Sequence, residues 1–350
     1  MIHTRDELKN RALELGMEQA RGPRNRILVS MGTCGVAAGT TPVLEALRRE
    51  VENRDLSKAY EIVETGCMGL CHSEPSIEVV DTVSGDSAFY VNVKPEQAAA
   101  IVEAGAYEAA GVEEFPRNWH YPEMEDNIND SIQTRIVLRN SGRIDPESLD
   151  AYLTNSGYQA LAKALDEHSQ EDVVELVKDS GLRGRGGGGF PTGVKWSFAA
   201  SQESDEKFII CNADEGDPGA FMDRAVLEGD PHAVLEAMAI AGYAIGAHTG
   251  IIYIRAEYPL AVKRLQIGID KAREAGLLGE DILGSGFDFD IQIKYGAGAF
   301  VCGEETALIH SIEGKRGEPT FKPPYPAVSG LYGKPTIVNN VETFANLPGI

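Results

Sequence analysis

Apolar residues recur along this chain in two rhythms, and the rhythms alternate. "NRILVSM" (25–31) is an apolar run of strand length, while "TTPVLEALRREVENR" (40–54) sets Val43, Leu44, Leu47 and Val51 at helical spacing. "AYEIVETG", "SIEVVD" and "AFYVNV" predict three more strands. "KPEQAAAIVEAG" (94–105) predicts a helix with Pro95 in its first turn and Gly105 at its end. Before them, residues 1–25 are charged and periodic, as in a short helical arm. After them, residues 106–134 are acidic, weakly periodic and carry two prolines. They read as a linker that docks through Trp119 and Tyr121. From Arg135 to Ile350 the alternation resumes. "KFIICNADEGD", "TGIIYIRAEY" and "FDIQIKYGAG" predict strands, with "HAVLEAMAIAGYAIGA" and "PLAVKRLQIGIDKAREAG" as helices between them. Repeated strand–helix alternation implies a mainly parallel sheet covered by helices.

The expected fold is therefore α/β in two parts. Residues 26–105, in the order β-α-β-β-β-α, fit a small thioredoxin-like domain; residues 135–350 fit a larger doubly covered sheet. Composition narrows the function. Thirty-two basic against 54 acidic residues leave a net charge of −22. That charge excludes general binding to nucleic acid or anionic membranes. No apolar run approaches the ~18 residues that span a bilayer, and the start lacks a signal peptide's pattern. These features predict a cytoplasmic protein, or one held at a membrane by a partner. Cys34, Cys67, Cys71, Cys211 and Cys302 make an odd number, against a disulfide framework; metal ligation and plain burial remain open.

The densest local signal is "GLRGRGGGGFPTGVKW" (181–196), with six glycines in the nine residues Gly181 to Gly189. It is not a P-loop, because Val194 and Trp196 break the lysine–hydroxyl ending. A dinucleotide fingerprint at Gly184, Gly186 and Gly189 lacks the strand that must precede it. A plain linker does not pack Arg183, Arg185, Phe190, Lys195 and Trp196 around its glycines. Bare backbone lets N–H groups approach an anion or a flat ring, and Arg185 and Lys195 bring positive charge to an acidic protein. "ICNADEGDPGAFMDR", "GAGAFVCGEETALIHSIEGKRGEP" and "KPTIVNNVET" add three more glycine- or amide-rich turns after strands, the expected place for ligands in open α/β sheets.

Taken together, these four segments resemble the NADH-oxidising flavoprotein subunit of respiratory complex I, a family shared with NAD-linked and electron-bifurcating hydrogenases and dehydrogenases. The resemblance implies a Rossmann-like FMN-binding domain that receives hydride from NADH. It places FMN against Gly184, Arg185, Gly186, Gly187 and Lys195, with Asn212, Asp214, Glu215, Gly303, Glu304, Asn339 and Asn340 completing the contacts. Phe190, Phe198 and Tyr325 would hold the dinucleotide's adenine, and Glu215, Asp217 and Glu304 would meet the rest of it. Gly188 stands where the family commonly has alanine. Paired carboxylates near a ribose favour NAD over NADP by repelling a 2′-phosphate. Catalysis needs no acid or base in such a site; Lys195, Glu215 and Glu304 position the cofactors.

FMN releases electrons singly, which implies iron–sulfur partners: a ferredoxin-like subunit and a hydrogenase or dehydrogenase catalytic subunit, with electron bifurcation as one use. "MGTCGVAAG" and "GCMGLC" resemble the two loops of a thioredoxin-like 2Fe–2S ferredoxin domain, which normally supplies four cysteines. Here Cys34, Cys67 and Cys71 would ligate, with Ser30 as the expected fourth. An empty domain kept for docking is the alternative; zinc fits three cysteines poorly. Cys211 and Cys302 read as buried thiols inside strands. Relatives continue past "NNVETFANLPGI" with a 4Fe–4S-bearing bundle, so that cluster is expected only of a longer chain. A nucleotide-binding docking subunit with a decayed electron path is the competing function.

Overall fold

The computed structural model describes residues 1–115 and 134–350; the docking expected of Trp119 and Tyr121 lies outside them. Two compact units result: Glu14–Ala151, and Met1–Leu13 together with Tyr152–Ile350. This division departs from the boundaries read from the pattern. Residues 135–151, expected to open the large domain, are mostly turns and belong to the small unit. Arg135 donates to the Met68 carbonyl at 3.0 Å and the Ser141 hydroxyl to the Cys67 carbonyl at 2.9 Å. Backbone groups of a cysteine loop thus claim a segment whose own pattern is nearly silent.

The first helix, α1 (Arg5–Ala20), covers most of the expected arm. The small unit is built on β1 (Asn25–Ser30), β2 (Tyr60–Thr65), β3 (Ile77–Asp81) and β4 (Ser87–Tyr90). Their order is β2-β1-β3-β4, with β1 and β2 parallel and the other pairs antiparallel. Helices α2 (Thr33–Ala38), α3 (Thr40–Asn53) and α4 (Ala98–Ala104) complete the expected β-α-β-β-β-α order. Strand alternation sorts the apolar residues: Ile27, Val29, Ile77 and Val79 join Val43 and Leu47 of α3 in one core. Leu28, Val63 and Phe89 face the other side, where Met68 and Leu70 of the cysteine loop pack.

The large unit holds β5 (Phe208–Ala213), β6 (Thr249–Arg255), β7 (Asp290–Gly296) and β8 (Thr336–Asn340), all parallel, in the order β7-β6-β5-β8. Around them lie α5 (Leu149–Thr154), α6 (Gln159–Glu167), α7 (Gln170–Asp179), α8 (Thr192–Ala200), α9 (Met222–Gly229), α10 (Pro231–Ile245), α11 (Pro259–Ala275), α12 (Glu305–Ile312), α13 (Pro326–Ser329) and α14 (Val341–Ala345). Nearly every residue of α10 is buried, which explains why its sequence is apolar apart from His232, Glu236 and Tyr243. Among the described residues no helix is long and apolar enough to cross a membrane.

The strand order decides where a ligand goes. The chain steps outward from β5 to β6 to β7, then returns to lay β8 on β5's other side. Connections leaving β5 and β8 therefore diverge, and a crevice opens at their carboxyl ends. Cys211 pairs with Asn339 and Asn212 with Asn340 across that point.

Candidate functional site

The glycine run is a closed loop between two helices. Arg183 and Pro191 form an antiparallel bridge, Gly184 N–H donates to the Phe190 carbonyl at 2.9 Å, and Thr192 N–H to Leu182 at 2.9 Å. Arg183 and Arg185 donate to the carbonyls of Gly189 and Arg183, so the loop's own cations brace it. The Arg185 N–H donates to Thr343 Oγ1 at 2.8 Å, pinning the loop to α14 at the end of β8. A Cβ at Gly186 would lie 3.2 Å from Asn340 Cβ, whereas one at Gly187, Gly188 or Gly189 would meet nothing within 4 Å. Gly187 has φ +99°, a conformation that side-chain-bearing residues avoid. At Gly193 a Cβ would come within 2.4 Å of the Lys178 backbone nitrogen, so α8 begins hard against α7. The tip is left open, and its root is wedged against β8 and α7.

The sequence pattern did not isolate α8, yet that helix aims two of the expected residues. Lys195 and Phe198 are three apart and share one face. The Lys195 ammonium donates to the Val338 carbonyl of β8 at 2.5 Å. Burial brings its pKa down to about 8, against an upward pull from Glu305. Phe190 and Phe198 are each 49% exposed, and Tyr325, at the start of α13, is 59% exposed. Apolar rings that a fold leaves in water at a crevice are available to a flat ligand. α13 packs on α8.

At the end of β5, Asn212 donates to the Gly303 carbonyl at 2.9 Å and accepts from Asp214 N–H at 3.1 Å, tying the β5 turn to the segment before α12. Burial raises the pKa of Asp214, whose Oδ2 is buried and has no hydrogen-bond partner. Asn339 is buried at the end of β8, and its Nδ2 is likewise without a partner. Buried polar groups left unpaired are costly, so such atoms at a crevice point to a polar ligand. Together with the side-chain-free loop and Lys195, they fit an anionic, planar cofactor. Asp217 is exposed on the turn beyond.

Three expected ligands have other work. The Glu215 carboxylate is buried and accepts from the N–H groups of Asp223 and Arg224, each at 3.2 Å, and from Tyr258 Oη at 3.1 Å. It fastens the first turn of α9, a helix hidden in a segment that reads as a polar turn. Glu304 caps α12 through the N–H groups of Thr306 and Ala307, at 2.8 and 3.1 Å, and pairs with Lys322 at 3.0 Å. Asn340 caps α14 through Glu342 and Thr343 and donates to Asp223 Oδ2 at 2.7 Å. Each thereby fixes a wall of the crevice. Lys322, bonded to both Glu304 and Glu305, escaped the sequence reading. A lone lysine in "TFKPPYP" gives no signal until folding sets it beside that acid pair.

In the small unit, Cys67 Sγ and Cys71 Sγ lie 3.6 Å apart, and Cys34 is hydrogen-bonded to Cys71. Burial raises the thiol pKa of Cys67 and of Cys71. Their spacing approaches the ~3.8 Å edge of a tetrahedron with ~2.3 Å metal–sulfur bonds. Among the described residues, no group of three or more His, Cys, Asp or Glu side chains is placed to hold a metal ion. A binuclear cluster asks for two protein ligands per iron. Cys34, Cys67 and Cys71 bring three thiols together from two loops, one short of that number. Ser30, the expected fourth, is fully buried, and its hydroxyl donates to Glu74 Oε1 at 2.5 Å. The other Glu74 oxygen takes the Ser76 N–H and hydroxyl, at 2.7 and 2.9 Å. Cys211 lies buried in β5 as expected; Cys302 is buried too, in a 3₁₀ turn at Phe300–Gly303 and not in a strand.

Residues 177–349 match the family model described as the Nuo51 FMN-binding domain, named Complex1_51K. The chain is 70% identical over 227 residues to the NADP-reducing hydrogenase subunit HndC of Solidesulfovibrio fructosivorans, covering 65% of this chain and 46% of that protein. It is 54% identical over 215 residues to an NADH-quinone oxidoreductase subunit of Rhizobium meliloti, covering 61% and 51%. Against the NAD-reducing hydrogenase HoxS subunit alpha of Cupriavidus necator, identity is 41% over 318 residues, covering 88% and 50%. The chain thus spans about half the length of these curated relatives. Among solved structures, an NAD⁺-reducing [NiFe]-hydrogenase in the H₂-reduced state is similar at TM-score 0.51 and 28% identity, covering 97% of this chain and 55% of the other.

Proposed function

Because residues 177–349 belong to the Nuo51 FMN-binding domain family, we propose that this protein is the NAD(H)-linked flavoprotein subunit of a multi-subunit redox complex. One observation carries the reading. At the carboxyl ends of β5 and β8, buried Asn339 Nδ2 and Asp214 Oδ2 lack hydrogen-bond partners, and a glycine loop whose tip has no side chains packs on Asn340 and Thr343 at the end of β8. FMN bound there supplies two-electron uptake from a hydride and one-electron release.

The chain's residues hold and orient. The bare backbone of Gly184, Gly186 and Gly187 admits the cofactor, Lys195 brings a cation, and Asn212, Asp214, Gly303 and Asn339 present polar edges. Phe190, Phe198 and Tyr325 offer faces for an adenine, with Asp217 at the rim. Glu215, Glu304 and Asn340 keep these groups in place, and Lys322 balances the Glu304/Glu305 pair. That pair still favours NAD over NADP in this reading, although the relative at 70% identity is named for NADP. The three cysteines of the small unit suit a 2Fe–2S cluster that takes electrons onward. The implied partners are iron–sulfur and hydrogenase or dehydrogenase subunits, in the cytoplasm, with electron bifurcation open to such an assembly.

The test is direct. Heat-released supernatant of the purified chain is expected to fluoresce and to chromatograph as FMN, and NADH is expected to bleach the bound flavin at concentrations where NADPH does not. Absence of flavin, or release of FAD, overturns the reading; bleaching by NADPH alone reverses the dinucleotide choice.

A further inference from the structure

Asp223 is a buried acid that the proposed function leaves without a task. It sits in the first turn of α9 and is 4% exposed. Its Oδ2 accepts from Asn340 Nδ2 at 2.7 Å, while its Oδ1 is buried and has no hydrogen-bond partner. Asn340 is the residue whose Cβ stands 3.2 Å from the place a Gly186 side chain would take. Asp223, Asn340 and the glycine loop thus form one packed line. With no donor engaging it, Oδ1 is left as a place for a proton.

The surrounding charges agree. Glu215, from the turn after β5, accepts the Asp223 N–H. The Cys211 thiol of β5 senses its charge. Glu342 opens α14 and contributes both a backbone N–H and a second negative charge. On the far side of Glu215, Arg255 donates to its carbonyl and Tyr258 to its carboxylate. Arg224, next on α9, lies over the Phe221 and Tyr258 rings and 3.9 Å from Glu228. From α11, Arg264 donates to the Glu228 carbonyl, and Asp230 caps α10. Burial and Glu215, against the Asn340 amide and the Glu342 N–H, push the Asp223 pKa up to about 7.

We propose that Asp223 is the redox-linked proton acceptor of this site: Oδ1 binds a proton from bulk water when the bound flavin becomes negatively charged, and returns it when the electrons leave. The inference rests on the reading that FMN lies at this loop. The electron balance is that of the flavin alone; Asp223 exchanges one O–H bond with solvent and is neither oxidised nor reduced. It is a positioning residue for charge, acting through Asn340, and a purely structural acid would not show the signature that follows.

A carboxyl protonated in both states below its pKa contributes nothing there. Above about pH 7 it is ionised with oxidised flavin and protonated with reduced flavin, and one extra proton accompanies two electrons. One proton makes a tenfold change in equilibrium constant per pH unit, or about 30 mV per pH unit for a two-electron couple. Dye-equilibrated titration of the full chain with its flavin, from about pH 6 to about pH 9, is expected to show that extra slope entering above neutrality. Asp223→Asn is expected to keep its flavin and lose the extra slope. Infrared difference spectra of wild type are expected to gain a protonated-carboxyl band on reduction, absent in Asp223→Asn. A wild-type potential without the break overturns the proposal even if the variant fails to fold, and so does a break that persists in Asp223→Asn. Wild-type chain that binds no flavin overturns the site reading itself, and the proposal with it.

Discussion

Lys195 shows what a single residue owes to its surroundings. Its ammonium is held against the Val338 carbonyl, and burial lowers its pKa to about 8, with Glu305 opposing the fall and Lys322 assisting it. A base with a depressed pKa is charged below that value and neutral above it. Affinity of the apo-chain for FMN is therefore expected to fall above about pH 8, and the bound anion shifts the fall upward. Lys195→Met is expected to weaken binding by about 1.5–3 kcal/mol, the scale of a charge-assisted hydrogen bond, and to flatten the pH profile. Fluorescence titration across pH checks both; an unchanged profile removes Lys195 from the site. Lys195 was legible because it stands beside the glycines. Lys322 was not, because its partners Glu304 and Glu305 lie on another segment. Glu215 was legible from its turn, but its hold on the start of α9 was not, because a carboxylate near a ligand turn and one fastening a helix start look alike in sequence.

The glycine loop separates elements the fold needs from space the ligand needs. At Gly187 the cost of a side chain is conformational, since φ is +99° and the volume is open. At Gly188 neither penalty applies. At Gly193 the cost is a collision with the α7 backbone at 2.4 Å. Gly187→Ala is expected to lose about 1–2 kcal/mol, Gly188→Ala to stay within about 0.5 kcal/mol, and Gly193→Ala to lose the most. Denaturant midpoints of the three give the order, and equal losses at Gly187 and Gly188 would contradict it. The loop's sequence announced its backbone freedom but not its closure, which depends on Arg183 meeting Pro191 and on Thr343 taking the Arg185 N–H. α9 was missed for a related reason: its first turn carries Asp223, a polar residue whose buried carboxyl finds its donor in Asn340, far along the chain.

At the scale of the molecule, the small unit extends to Ala151, and its last segment grips the cysteine loop through Arg135 and Ser141. The whole chain, reconstituted anaerobically, is expected to hold about two iron and two sulfide, lost in Cys67→Ala. Ser30→Ala is expected to retain them, because the Ser30 hydroxyl is committed to Glu74. Iron and sulfide analysis of the three proteins decides. Iron lost in Ser30→Ala restores the serine as a ligand, and no iron in wild type leaves the small unit as a docking module.

The amino-acid sequence by itself determined the elements and their class. Period-two and helical runs are local, so β1 to β8 and most of the long helices could be read directly, as could the four ligand-turn segments that carry the family resemblance. The tertiary structure decided what local pattern cannot encode. The return of β8 to the far side of β5 created the crevice and brought Asn339 beside Cys211. It also gave Glu215, Glu304 and Asn340 helix starts to hold, set the Ser30 hydroxyl on Glu74, and moved residues 135–151 into the small unit. The reason is common to all of these. Whether a polar group faces a ligand or a neighbour depends on which buried donors and acceptors lie within hydrogen-bond reach, and those partners come from distant parts of the chain.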